Sequence, residues 1–134
     1  MKTLKGNAVA LTIVATGAIA TAAHAGNESR YEAYPLTSDT FEVIADFTEN
    51  AIYWCGASLF AQLKLAQPVT QRIYVLQGPS RSETQANAVA VKFGLQPPAS
   101  GAVTQVFTND VDIIGNSLSV AQARGGCSER SASG

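Results

Sequence analysis

The residues of this chain best suited to chemistry are its two cysteines, Cys55 and Cys127. Cys55 lies within Trp54-Cys55-Gly56, directly before a predicted helix, where a helix N-terminus would lower the pKa of its thiol and activate it. A thioredoxin-like exchange site needs a second cysteine three positions later, and Ser58 stands there. We therefore predict a structural disulfide between Cys55 and Cys127, which the loop-closure model values at about 4 kcal/mol.

Acidic pairs are the next candidates for chemistry. Glu42 and Asp46 would be about 13 Å apart along a predicted strand, which is too far for glycosidase chemistry. Asp110 and Asp112 would be about 6–7 Å apart, within the range of an inverting pair. They fall on the outer face of a predicted hairpin, where solvated carboxylates are ordinary. The acidic pairs therefore predict no catalytic residue.

Metal and cofactor sites are not predicted either. Asp110 begins a calcium-like pattern, but Ile114 and Ala121 occupy the fifth and twelfth positions, which need oxygen ligands. The sole histidine, His24, lies in the first 25 residues. The rest of the chain therefore has no histidine for a catalytic triad or a zinc site. The sequence predicts neither a bound metal nor a cofactor.

The first 25 residues have the pattern of a signal peptide. Two lysines give a positive start, residues 8–23 are uncharged and mostly apolar, and Ala23-His24-Ala25 places small residues where a signal peptidase reads them. We predict cleavage before Gly26 and a periplasmic or secreted location. An uncleaved membrane anchor over residues 6–27 is the alternative. After cleavage, no membrane span is predicted.

Removal of the signal peptide leaves residues 26–134, which is 109 residues and the size of one small domain. This part has seven Lys and Arg against ten Asp and Glu, so its net charge is −3. An acidic surface without a basic cluster repels phosphate backbones. Nucleic acid is therefore not an expected partner.

Hydrophobic periodicity predicts an α+β domain over residues 39–127. The expected architecture is an antiparallel sheet of four to five strands with one helix packed on one face, stapled by the disulfide. Residues 26–38 are polar and predict a flexible N-terminal arm, and residues 128–134 predict a disordered tail. The predicted strands are Thr40–Phe47, Arg72–Gln77, Asn87–Leu95 and Val103–Phe107, and the predicted helix is Ala57–Ala66.

The strongest local signal is Gly115-Asn116, which separates residues 111–114 from residues 117–120. Glycine in the first position of a two-residue loop suits the type II′ turn of a β-hairpin. Counting outward from the turn places Ile113 opposite Leu118, so the turn and the hydrophobic pattern agree. We predict a β-hairpin here.

Three short motifs carry a resemblance to known sequences. They resemble a group of small uncharacterised exported proteins of alphaproteobacteria, over most of Phe41–Cys127. The resemblance implies a periplasmic or secreted location, implies no known activity and assigns no functional residue. The motifs are Tyr53-Trp54-Cys55-Gly56-Ala57, Ile73-Tyr74-Val75-Leu76-Gln77-Gly78-Pro79 and Ala123-Arg124-Gly125-Gly126-Cys127.

The sequence is compatible with three functions. The leading hypothesis is a non-enzymatic module of the cell envelope that binds an unknown protein, glycan or small ligand, with Tyr53 and Trp54 as a candidate contact surface. The alternative is a periplasmic enzyme that depends on carboxylates or a thiol. A structural envelope protein without a discrete ligand is the third. A deep concavity beside Trp54 would favour ligand binding, and a flat apolar patch would favour a protein partner.

Overall fold

The computed structural model describes residues 26–104 and 108–129. Five antiparallel strands form one sheet, one helix packs on this sheet, and a second helix packs against the first. The predicted α+β class, antiparallel sheet and disulfide are confirmed, although the described residues form two helices rather than one. The elements are β1 Tyr31–Pro35, β2 Thr40–Ala45, α1 Asn50–Leu59, a π-helical turn Phe60–Lys64, β3 Arg72–Arg81, β4 Val89–Gly94, β5 Ser117–Ser119 and α2 Val120–Ser128. The strand order in the sheet is β1-β2-β4-β3-β5, and α2 packs against α1.

Some predicted segments lie outside the described residues. These are the signal peptide of residues 1–25, residues 105–107 of the predicted fourth strand, and residues 130–134 of the predicted tail. Ser128, the first residue of that predicted tail, belongs to α2. Among the described residues, no helix has the length and apolar character needed to cross a membrane.

The alternating apolar residues of β2 and β4 build the core. Phe41 pairs with Phe93 and Val43 pairs with Val91, and all four side chains are fully buried. Residues two positions apart along a strand point to the same face of the sheet, so these four side chains form one apolar surface. Trp54 of α1 packs on it, with its ring centroid 5.0 Å from that of Phe93. The core therefore lies between the sheet and α1.

The first helix begins seven residues before the predicted start at Ala57. Residues 51–58 are all buried, because α1 lies between the sheet and α2 and has apolar neighbours on several sides. A helix buried in this way lacks the one-sided apolar stripe that periodicity detects. Leu63, which lies within the predicted helix, is 70% exposed. The π-helical turn changes the angle between successive side chains and turns this residue outward.

The predicted hairpin around Gly115 is wrong. Residues 111–115 form turns, and β5 pairs with β3 instead. The Ser119 side chain accepts from the backbone N–H of Gln122 at 3.1 Å, and the Gln122 side chain accepts from the backbone N–H of Ser119 at 2.9 Å. This capping box starts α2 at Val120. The predicted apolar strand after the turn is thus one short strand followed by a helix.

The predicted flexible arm of residues 26–38 is also wrong. Residues 31–35 of it are β1, an edge strand that pairs with β2, and Tyr31 and Ala33 pack against the core. The proline that ends β1 is tolerated because an edge strand has one unpaired side. Asn27 is 2% exposed, and its Nδ2 donates to the carbonyl of Gly126 at 2.7 Å. The segment is therefore fixed to the domain at both ends.

Candidate functional site

Cys55 and Cys127 form a disulfide between α1 and α2, as predicted, with Cα atoms 4.6 Å apart. Cys55 is fully buried and Cys127 is 6% exposed. Cys55 is the sixth residue of α1 and not the residue before its first turn. The helix N-terminus that would activate a thiol therefore lies more than a turn away. In this structure, the disulfide is a buried link between the two helices.

Tyr53 and Trp54 do not form the contact surface we expected. Each is 1% exposed, because α1 places both side chains in the core. Trp54 Nε1 donates to the carbonyl oxygen of Asn109 at 2.7 Å. The Tyr53 hydroxyl has no hydrogen-bond partner among the described residues, and burial, followed by the charge of Asp112, raises the pKa of Tyr53. Neither side chain is exposed enough to contact a binding partner, but the Trp54 indole is hydrogen-bonded to the backbone of Asn109.

A groove of about 880 Å³ lies along the β5 edge of the sheet and one side of α2. Its walls come from β3, β5, α2 and residues 102–104 and 108–109. Hydroxyl groups, amides and two charged side chains make up about half of its lining, and the other half is apolar surface, to which Ala102, Val103 and Leu118 contribute. Its volume is within the usual range for small-molecule sites. The polar and charged residues of the lining include Arg72, Tyr74, Thr108, Asn109, Gln122 and Glu129.

Strand register directs two of these side chains to the groove. Ile73 and Val75 of β3 are fully buried under the helices, so Arg72 and Tyr74 point to the opposite face. In β5, Ser117 is opposite Tyr74 and therefore shares that face. The exposed face of two adjacent strands thus forms one wall of the groove.

The guanidinium of Arg72 is held in place by Ser117. Its Nε donates to Ser117 Oγ at 3.0 Å, and its Nη2 donates to the Ser117 carbonyl at 2.8 Å and to Oγ at 2.9 Å. These bonds use one edge of the planar group, and Nη1 remains for solvent or a ligand. Among the described residues, no carboxylate lies within 4.0 Å of this guanidinium. The groove therefore contains a positioned cation without an ion-pair partner in this part of the chain.

One side of α2 also lines the groove, next to the β5 edge of the sheet. Gln122 and Glu129 line the groove, and Gly125 lies between them at helical spacing. A Cβ atom placed on Gly125 would meet no heavy atom within 4 Å, so the space beside this glycine is open. The backbone carbonyl of Glu129 accepts from Asn27 Nδ2 at 3.1 Å. This bond holds the backbone of Glu129, which is the only acidic residue in the described lining of the groove.

Glu42 is a buried carboxylate, but its contacts are those of a structural group. Its Oε1 accepts from Ser82 Oγ at 2.5 Å, from Thr84 N at 3.0 Å and from Thr84 Oγ1 at 2.5 Å, and its Oε2 accepts from Glu83 N at 3.0 Å. Burial alone would raise the pKa of Glu42, but these four bonds outweigh burial, and its pKa lies below the ordinary value. Glu42 therefore stays ionised and fixes the β3–β4 loop to the sheet.

The acidic pair Asp110 and Asp112 stabilises a turn. The Asp110 side chain accepts from the backbone N–H of Asp112 at 2.8 Å. The backbone N–H of Val111 donates to Asn50 Oδ1 at 3.2 Å, which attaches this turn to the start of α1. Nowhere in residues 26–104 and 108–129 do three or more His, Cys, Asp or Glu side chains form a group able to hold a metal ion. These carboxylates thus have a local structural role.

Comparisons of the chain with protein-family models, curated proteins and solved structures give no match. The groove is therefore interpreted from its own geometry. Sequence reasoning missed it because the expected hairpin placed Leu118 opposite Ile113, whereas β5 places Leu118 opposite Ile73. The capping-box pattern Ser119-x-x-Gln122 was the available signal for α2, and hence for the second wall.

Proposed function

We propose that this chain is an exported, non-enzymatic binding module of the periplasm or secreted space, and that it takes a small polar ligand in the groove. The observation that carries the proposal is Arg72, which lines a concave site of about 880 Å³ with its guanidinium already positioned by Ser117. Concave sites with a few fixed polar groups are typical of small-molecule binding, whereas protein partners prefer flatter surfaces.

Pre-organisation of Arg72 supports a binding role. A free arginine side chain loses rotamer freedom when a ligand fixes it, and this loss reduces affinity. The three hydrogen bonds to Ser117 have already fixed the guanidinium before a ligand arrives. An acceptor on the ligand would then gain a charge-assisted hydrogen bond at a lower entropic cost.

Export is supported by two independent features. Residues 1–25 have the composition and the cleavage-site residues of a signal peptide. The Cys55–Cys127 disulfide is of a kind that persists in oxidising compartments and is rare in the cytosol. Mass spectrometry of protein from an exporting host should give an N-terminus at Gly26. An intact Met1 in the membrane fraction would instead support the membrane-anchor alternative.

The enzyme alternative has less support from the described contacts. Cys55 is fully buried in a disulfide, which leaves no thiolate for exchange or nucleophilic attack. Glu42 accepts four hydrogen bonds and has a lowered pKa, so it is a poor proton donor or acceptor at neutral pH. Within the described lining of the groove, the hydroxyl of Ser117 is bonded to Arg72 and not to a base.

Binding can be tested with the single tryptophan of the chain. The Trp54 indole N–H is bonded to the carbonyl of Asn109, a residue of the groove lining, so a ligand that moves Asn109 should shift the indole signal in a ¹⁵N–¹H correlation spectrum. We would screen neutral sugars, uronic acids, amines and short peptides. We expect at least one class to give a saturable shift at this signal and at groove amides.

A matched control is Gly125→Leu, whose side chain would occupy the open space between Gln122 and Glu129. We expect this variant to retain the folded spectrum and to lose the ligand-induced shifts. Two results would contradict the proposal. One is the absence of any saturable shift from the whole panel at millimolar concentrations. The other is unchanged ligand affinity in folded Gly125→Leu.

A further inference from the structure

The two charged side chains of the groove have opposite signs and do not neutralise each other. Arg72 comes from the first residue of β3, and Glu129 follows the last residue of α2. Both line the groove, and no ion pair within 4.0 Å joins them. A ligand with one charge, such as a uronic acid, would use Arg72 and leave Glu129 unmatched. A ligand with an anion at one end and a cation at the other would match both.

The separation of the two charged residues sets the length of such a ligand. Ser119, paired with Arg72 across the sheet, precedes α2, and Glu129 follows it, so the backbone positions of Arg72 and Glu129 are about one helix length apart. The nine residues of α2 give a length of about 14 Å at 1.5 Å per residue. An extended peptide rises about 3.3 Å per residue, so about four residues cover this distance.

The middle of the groove suits a peptide backbone. The absence of a side chain at Gly125 leaves room for the chain to pass close to α2. The side-chain amide of Asn109, the hydroxyl of Thr108 and the Nε2 group of Gln122 offer both donors and acceptors to peptide N–H and C=O groups. These groups are neutral, so they make no demand on the charge of the peptide side chains.

We infer that the ligand is a short peptide of about four residues with free ends, whose C-terminal carboxylate binds Arg72 and whose N-terminal ammonium binds Glu129. The inference rests on the proposed function, because it requires the groove to be the binding site. It adds the ligand class, the direction of the peptide in the groove and the role of each charged residue.

The first test changes only the ligand. The probes are tetraalanine, N-acetyl-tetraalanine and tetraalanine amide, titrated against the wild-type protein and followed at the Trp54 indole signal. We expect tetraalanine to bind best and each cap to weaken binding about tenfold, because each removes one charge-assisted contact. Equal affinity for all three peptides would overturn the inference without requiring any protein variant.

The second test pairs each cap with one variant. Arg72→Gln should weaken tetraalanine about tenfold and leave the affinity for the amide unchanged, since the amide has already lost the carboxylate. Glu129→Gln should likewise weaken the binding of tetraalanine about tenfold and leave the affinity for N-acetyl-tetraalanine unchanged, since that peptide has already lost the ammonium. Arg81 lies on β3, like Arg72, but outside the groove lining, so the control variant Arg81→Gln should change none of the affinities. If Arg72→Gln did not fold, Arg72→Lys would replace it, with a smaller expected loss of affinity.

The outcomes separate this inference from the proposed function. If a uronic acid or a neutral sugar shifts the groove signals while the three peptides do not, the groove is a binding site and the peptide inference is wrong. If no compound shifts them, the proposed function itself is wrong. If the peptides bind but Arg72→Gln weakens the amide as much as tetraalanine, the carboxylate does not lie at Arg72.

Discussion

Two neighbouring glycines in α2 should respond in opposite ways to the same substitution. Gly125 is exposed on α2 between Gln122 and Glu129, and an added Cβ would meet no heavy atom within 4 Å. Gly126 faces α1, where an added Cβ would overlap the backbone oxygen of Ala51 and lie 3.2 Å from its carbonyl carbon. Because the two positions share one helix, the gain in helix propensity is about the same for both. The difference between them then reports only on packing.

The magnitudes follow from these surroundings. Gly125→Ala should raise the free energy of unfolding by about 0.5–1 kcal/mol, since alanine loses less conformational entropy in a helix. Gly126→Ala should lower it by about 1–3 kcal/mol, the usual cost of overpacking. The helices cannot easily separate to relieve the overlap, because Cys127, the next residue, is bonded to Cys55 of α1. The two variants should therefore differ by about 1.5–4 kcal/mol.

Urea unfolding followed by Trp54 fluorescence measures this difference. Both variants should keep the wild-type slope and move the midpoint in opposite directions. The double variant Gly125→Ala/Gly126→Ala should equal the sum of the singles within about 0.5 kcal/mol, because the two added methyl groups point to different surroundings. If Gly126→Ala proved as stabilising as Gly125→Ala, α2 would not pack against Ala51 as described, and the second wall of the groove would be misplaced.

The remaining predictions concern the disulfide, the buried carboxylate and one strained residue. Cys55→Ser and Cys127→Ser should each lower the free energy of unfolding by about 2–5 kcal/mol in urea, the double variant should cost little more, and divergent singles would contradict a purely structural bond. The folded pKa of Glu42 is lowered, so its stabilisation is present above the unfolded pKa of about 4.3 and is lost as the pH falls through the folded value. Glu42→Gln should therefore lower stability at pH 7 by about 1–3 kcal/mol and flatten the loss of stability in acid, and an unchanged acid profile would refute this. Ala66 has φ 53°, in the left-handed region, so Ala66→Gly should raise the melting temperature by a few degrees in calorimetry, and a lower melting temperature would show that the φ angle is not strained.

The strands with clear alternation were predictable from sequence, and the elements buried on several sides were not. Phe41 and Val43, like Val91 and Phe93, alternate with residues of the other face, and this pattern fixed both the strands and the core side. α1 has no such pattern because nearly all of its residues are buried, so periodicity found only its C-terminal part. One-sided burial leaves a period in the sequence, and burial on several sides removes it.

The groove was harder to predict because its walls come together only through non-local pairing. Arg72 and Ser117 are 45 positions apart and become neighbours when β5 pairs with β3. The sequence around Gly115 favoured a hairpin turn. Gly115 does adopt a positive φ of 86°, but among the described residues this turn joins no pair of strands. Turn chemistry predicted the local conformation of Gly115, whereas pairing with β3 decided the partner of β5.

The bond between Asn27 and Cys127 has a consequence for how the chain could be reconnected. The backbone N–H of Asn27 donates to the carbonyl of Cys127 at 2.8 Å, so the first and last described segments of the chain meet. A short linker from Glu129 to Gly26 could then close the chain, and new ends could be opened at the exposed residues Ala99 and Ser100. Adjacent ends and an exposed loop are the conditions under which circular permutation succeeds. The same adjacency would let the domain be inserted into a surface loop of another protein, with Trp54 still reporting on the groove.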